Sequence, residues 1–185
     1  RDTKAGGKLH MNWKKRIVSL ALAAVIGLST FLASGVEAEA AGAIAKGIDV
    51  SKYQGAINWS AVAAEGYSFA FIKVGSAKSG LDPYFAANMV GANAAGLKTG
   101  VYLYSYATTV EAAMAEAQFT LAAIAPFTVS MPVVFDLEDA VHKTMTPEQL
   151  QALTVVFCSI IQSAGYQPMV YSSKNWLTQR VGPIP

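Results

Sequence analysis

The chain of 185 residues has a single cysteine, Cys158, so no intrachain disulfide can form. Cys158 follows Val155, Val156 and Phe157, which is the setting of a packed core thiol rather than a nucleophile. Charge is also scarce, at 14% of residues, and its distribution is uneven. Residues 1–40 carry six Lys/Arg against three Asp/Glu, whereas residues 41–185 carry eight against nine. The net charge of +2 therefore belongs to the N-terminal segment, and no basic cluster follows it. No nucleic-acid partner is expected. No G-x-G-x-x-G follows the first strand-like segment, which disfavours a dinucleotide cofactor. His142 has no neighbouring His or Cys and reads as a solvated loop residue, so neither a metal nor any other cofactor is expected.

The N-terminal segment has the order of an export signal. Met11 to Arg16 supply a basic start, residues 17–36 contain no charge, and Ala38-Glu39-Ala40 offers a small-residue cleavage site. The uncharged stretch approaches the ~20 apolar residues of a membrane span. Its Ala, Gly and Ser content and the cleavage site favour removal over anchoring. The expected organisation is an upstream extension at 1–10, a signal peptide at 11–40 and one domain at 41–185. Such a product is secreted, extracellular or cell-wall associated, with no stable membrane association after cleavage.

Beyond the signal, strand-like and helix-like segments alternate. The apolar patterns predict strands over 44–50, 68–74, 99–106, 131–137 and 168–172. Helices are predicted from Asn58 to Gly66, from Asp82 to Ala95, from Thr109 to Ile124 and from Thr146 to Gly165, with a last helical turn over 175–180. Thr146 is the expected N-cap and Pro147 the first helical residue. Five successive βα units imply a parallel sheet with right-handed crossovers, as an open doubly wound sheet or a barrel.

The run MPVVFDLED, residues 131–139, is the strongest chemical signal. Its apolar part reads as a buried strand ending in Asp136 and Glu138. Residues i and i+2 of a strand share a face, with Cα atoms roughly 6.6 Å apart. Two such carboxylates can divide into a proton donor and a charged stabiliser. Asp49 lies near the end of the first strand, so three carboxylates converge on the C-terminal end of the sheet, where barrel enzymes place their chemistry.

Several motifs then occur in order. Gly47-Ile48-Asp49-Val50-Ser51-Lys52-Tyr53-Gln54-Gly55 with Ile57-Asn58-Trp59 resembles the opening of glycoside hydrolase family 25. The second strand from Phe69 to Gly75 and the trio Asp82, Phe85 and Asn88 are similar to the family pattern. So are Ala95-Gly96-Leu97-Lys98 with Gly100 to Tyr104, Pro132 to Glu138, and Val170-Tyr171-Ser172-Ser173. The resemblance covers most of residues 45–177. It implies a TIM-like flattened α/β barrel of the (βα)5(β)3 type, here lacking the last three strands. It also implies a lysozyme that cleaves the β-1,4 bond between N-acetylmuramic acid and N-acetylglucosamine in peptidoglycan.

On that resemblance Glu138 is the general acid that protonates the leaving oxygen. Asp136 stays ionised, to stabilise the transition state or orient the substrate's 2-acetamido group, and Asp49 orients water or holds Asp136. The acetamido group permits a substrate-assisted route without an enzyme nucleophile. Tyr104 and Tyr171 are candidate sugar contacts, and Tyr102 a third that core packing also explains. Asp139 is expected to face away from the others, and the direction of Lys73 is left open. Three rival readings are a non-catalytic peptidoglycan-binding module, a barrel whose three carboxylates coordinate Mg²⁺ or Ca²⁺, and a doubly wound nucleotide-binding domain, which the absence of a glycine-rich phosphate loop disfavours.

Overall fold

The computed structural model describes residues 45–181. The expected extension and signal peptide, the start of the first strand at residue 44, and residues 182–185 lie outside the described residues. Six strands form one sheet: β1 (Gly47–Val50), β2 (Phe69–Ser76), β3 (Gly80–Leu81), β4 (Lys98–Tyr104), β5 (Val133–Asp136) and β6 (Pro168–Tyr171). The helices are α1 (Trp59–Ala64), α2 (Phe85–Ala94), α3 (Val110–Ile124), α4 (Pro147–Ser163) and the short α5 (Lys174–Trp176). A π-helical turn, Leu177–Val181, follows α5.

The sheet order is β1-β2-β4-β5-β6, all parallel, with β3 folded back antiparallel on β2. These five strands therefore lie side by side in chain order. A doubly wound sheet reverses its order midway, and this one does not. With crossovers of one hand, every connecting helix falls on the same face. Ile72 and Val74 of β2, Val101 and Leu103 of β4, and Val133 and Phe135 of β5 point to that face and are fully buried. They pack against Phe85 and Met89 of α2, Ala113 and Ala117 of α3, and Leu150, Leu153, Phe157 and Ile161 of α4. Phe135 and Phe157 stack with centroids 4.2 Å apart. Each of these side chains larger than alanine contributes about 1.5–3 kcal/mol when removed from water.

Local chemistry fixes the ends. The Thr146 side chain accepts from Gln149 N, and the Gln149 side chain accepts from Thr146 N, a capping box with Pro147 in the first turn. Helix α2 starts later than expected, because Asp82 caps the turn before it: its carboxylate accepts from Tyr84 N at 2.9 Å and Lys52 N at 2.8 Å. At the far end Gly96, at φ 79°, lets Leu97 N reach Ala92 O at 3.0 Å and turn the chain into β4.

The opposite face of the sheet carries Gly47 and Asp49, then Phe69, Phe71 and Lys73, then Gly100, Tyr102 and Tyr104, then Val134 and Asp136, then Met169 and Tyr171. No helix covers it among the described residues. It forms a concave part-barrel, apolar towards the N-terminal ends of the strands and polar towards the C-terminal ends. Two glycines set its floor. A Cβ on Gly47 would collide with the ring of Phe69, and one on Gly100 with the ring of Phe71 and the Pro132 carbonyl. The outer strands are softer: all four residues of β6 are half-buried, whereas all four of β5 are buried. Gly100→Ala is expected to displace Phe71 and destabilise the chain by about 1–3 kcal/mol, the usual cost of overpacking, read as a lower urea midpoint at unchanged m.

Candidate active site

The concave face encloses a cavity of about 380 Å³ lined by Asp49, Asp136, Glu138, Lys73, Tyr102, Tyr104 and Tyr171, among others. Every expected site residue lies in it. Asp136 is the last residue of β5 and is only 5% exposed. Its neighbours across the ladder are Tyr104 and Tyr171, so the register itself brings the two phenols beside the carboxylate. Glu138 lies just beyond the strand on the same face and is exposed. Leu137 between them is fully buried, its N donating to Tyr171 O at 2.9 Å and its carbonyl accepting from Ser172 Oγ at 2.8 Å. That anchoring turns Glu138 towards the cavity.

The electrostatics differ from expectation at one point. The Asp136 carboxyl is pushed up to about 7, chiefly by burial and then by the Glu138 and Asp49 carboxylates, with Lys73 pulling the other way. Asp136 was expected to stay ionised; near neutrality it is instead about half protonated. The reason is depth: Asp136 ends a strand buried on both sides, whereas Glu138 stands past it in solvent. One Asp136 oxygen, Oδ1, is buried without a hydrogen-bond partner among the described residues. Asp49 is solvent-exposed at the mouth, yet the surrounding protein still raises its pKa.

Lys73 points into the cavity, with its ammonium 4.7 Å from the centroid of the Tyr104 ring and 5.9 Å from that of Tyr102. The Tyr104 phenol is pushed up to about 12, first by burial and then by Asp139. Tyr102 is raised further, by burial and by Asp49 and Asp136. Among the described residues no group of three or more His, Cys, Asp or Glu is arranged to hold a metal ion.

Two residues contradict the sequence reading. Asp139 does not face away: its carboxylate accepts from Tyr104 Oη at 3.2 Å and from Val141 N at 3.0 Å, capping the 3-10 helix Ala140–Thr144. His142 is not solvated but wholly buried, with Nε2 3.0 Å from Ala107 O, and burial holds its pKa below the ordinary value. A third residue went unnoticed. Glu116 of α3 is buried and accepts from Ser105 Oγ at 2.6 Å and Tyr106 N at 2.9 Å. Together with Ser105 N donating to Asp136 O at 3.0 Å, these bonds tie the loops after β4 and β5 into one unit. Only the spacing of Glu116 within α3, on its buried side with Ala113, Ala117 and Thr120, hinted at burial.

A parallel sheet that gathers carboxylates, phenols and a lysine at its C-terminal mouth is the arrangement in which barrel-type enzymes place their chemistry. Residues 48–183 match the family model described as glycosyl hydrolases family 25. The chain belongs to that family. It is 45% identical over 60 residues to lysozyme M1 of Streptomyces globisporus, covering 32% of this chain and 20% of that protein. It is 30% identical over 131 residues to the uncharacterized protein YegX of Escherichia coli strain K12, covering 68% of this chain and 47% of that one. The chain thus spans about half the length of YegX, and less of lysozyme M1. Among solved structures, the modular autolysin LytC of Streptococcus pneumoniae superposes with a TM-score of 0.65 at 27% identity, covering 73% of this chain and 34% of that chain. LytC has also been solved in complex with a synthetic peptidoglycan ligand.

The buried Asp136 has a stability cost with a definite pH dependence. Its folded value of about 7 exceeds the ordinary 3.8, so between the two the folded chain holds a proton that the unfolded chain has lost. Stability contributed this way is present below the lower value and lost as pH rises through the upper. Asp136→Asn is expected to stabilise the chain by on the order of 1–4 kcal/mol near pH 8 and to do little near pH 4, measured by urea unfolding at both.

Proposed function

We propose that the chain hydrolyses the β-1,4 bond between N-acetylmuramic acid and N-acetylglucosamine in peptidoglycan, as a secreted or cell-wall-associated muramidase. The observation that carries this reading is the Asp136–Glu138 pair at the end of β5, one carboxyl buried and unpartnered at Oδ1, the other at the open mouth. The names of the relatives support it: one is a lysozyme and another an autolysin solved with a peptidoglycan ligand.

The mechanism follows from the environments of the two carboxyls. Before substrate binds, burial and the neighbouring carboxylates hold a proton on Asp136 below about pH 7. A bound sugar presents its 2-acetamido N–H to the empty Asp136 Oδ1, which favours the ionised form of that group. The sugar also covers Glu138 and removes its water, which favours the protonated form there. Binding therefore moves the proton to Glu138, where general-acid catalysis needs it. Glu138 then protonates the glycosidic oxygen while Asp136 holds the acetamido group so that its carbonyl oxygen meets the anomeric carbon. No enzyme carboxylate bonds to the sugar on this route. The intermediate is opened by water, with Glu138 taking back the proton. Asp49 supports the ionised cycle by orienting that water, and Tyr102, Tyr104 and Tyr171 pack against the sugar while Lys73 balances the charge.

Two tests follow. Clearing of bacterial cell walls by the purified chain should release new N-acetylmuramic acid reducing ends, and Glu138→Gln should lower the rate by about 10²–10⁴-fold. Release of N-acetylglucosamine ends instead would reassign the bond, and binding without release would leave a wall-binding module. The pH profile is the second test. The doubly ionised pair has no proton to give, so kcat/KM should fall as pH rises through about 7, the value to which Asp136 is raised. An unchanged rate up to about pH 9 would remove the shared proton from the mechanism.

A further inference from the structure

Beyond the cavity, the aromatic wall continues past Tyr104. The Tyr106 ring lies 5.3 Å from that of Tyr104, tilted by 59°, and the ammonium of Lys78 sits 4.7 Å from the Tyr106 centroid. Tyr106 is half-buried and Lys78 exposed, and neither lines the cavity itself. Lys78 comes from the hairpin between β2 and β3, at the same end of the sheet as the carboxylates. That hairpin is shaped by Gly75, at φ 134°, where a Cβ would collide with the Gly80 carbonyl. Ser76 Oγ closes the turn by accepting from Ser79 N at 3.0 Å. On the other side, Tyr106 is held through its backbone N–H by the buried Glu116. The cation and the ring are thus placed from two independent elements.

We propose that Lys78 and Tyr106, adjoining the cavity at Tyr104, form a subsite for a carboxylate carried by the glycan or its peptide. The inference rests on the peptidoglycan reading above and deepens it. The cavity mouth collects Asp49, Asp136 and Glu138, so an anionic substituent is repelled there. The N-acetylglucosamine one step along the strand meets the face of Tyr106, which suits the apolar side of a pyranose ring, and the carboxylate of the N-acetylmuramic acid beside it is turned out of the acidic mouth towards Lys78. The ring face holds the Lys78 ammonium at the rim without neutralising it, leaving its N–H groups available to a carboxylate. No ion pair joins Lys78 to a carboxylate among the described residues. In peptidoglycan that carboxylate comes from the lactyl group or from the stem peptide.

The test is calorimetric binding with the full chain carrying Glu138→Gln to prevent turnover. Three probes are used: glycan strands stripped of peptide with free lactyl carboxylates, a disaccharide-peptide, and a neutral N-acetylglucosamine oligomer. Adding Lys78→Gln should weaken the carboxylate-bearing probes by about two- to fivefold, as for one exposed ion pair, and leave the neutral oligomer unchanged. Lys78→Arg should restore the affinity. Loss on the stripped strands alone assigns the lactyl group, and loss on the disaccharide-peptide alone assigns the peptide. Equal loss on all three probes, or no loss on any, would overturn the subsite while leaving the glycan reading intact. If the Lys78 parent binds no probe, the reading of the cavity itself fails, and the subsite with it.

Discussion

Everything at the candidate site depends on one constraint, the strict chain order of a parallel sheet joined by crossovers of a single hand. It sends all the helices to one face and, among the described residues, leaves the other concave and uncovered. On that second face the two-residue period of the strand then acts as a sorting rule. Alternate residues of five strands become the wall of one cavity, and the intervening residues become the core. The carboxylates, phenols and Lys73 meet there because parallel strands end on the same side, not because any loop reaches across.

Within this frame the site is an electrostatic compromise. Three carboxylates face one cavity, and Lys73 is the cation that lines it with them. Burial and mutual repulsion prevent Asp136 from ionising freely, which costs stability but leaves a proton available near neutrality. The bonds of Glu116, Asp139 and His142 hold the loops around these carboxylates. These three residues are the structural counterpart of the three that line the cavity.

Much of this was legible in the sequence, and the divide is physical. Strand and helix order and the Thr146 cap follow from local periodicity and capping chemistry, and the convergence of Asp49 with Asp136 and Glu138 follows from parallel strands ending on one side. Lys73 was undecidable because its strand is apolar on both faces, and only pairing showed which face turns inward. His142 was misread as solvated because nothing nearby in sequence foretells Ala107, 35 residues earlier, as its partner. Asp139 was misassigned because strand alternation was carried past Asp136, where the strand ends. The proton on Asp136 was missed for a related reason: depth is a property of the assembled sheet, and two adjacent carboxylates look alike in a string.

The half-buried outer strands have a further consequence. Asp49 and Tyr171 ride on β1 and β6, at opposite margins of the sheet, while Asp136 and Tyr104 sit on the stiff central strands β5 and β4. A small change in sheet twist would therefore shift Asp49 and Tyr171 relative to the central pair Asp136 and Tyr104. Substitutions on the marginal strands then alter the width of the cleft while the wall formed by β4 and β5 stays in place.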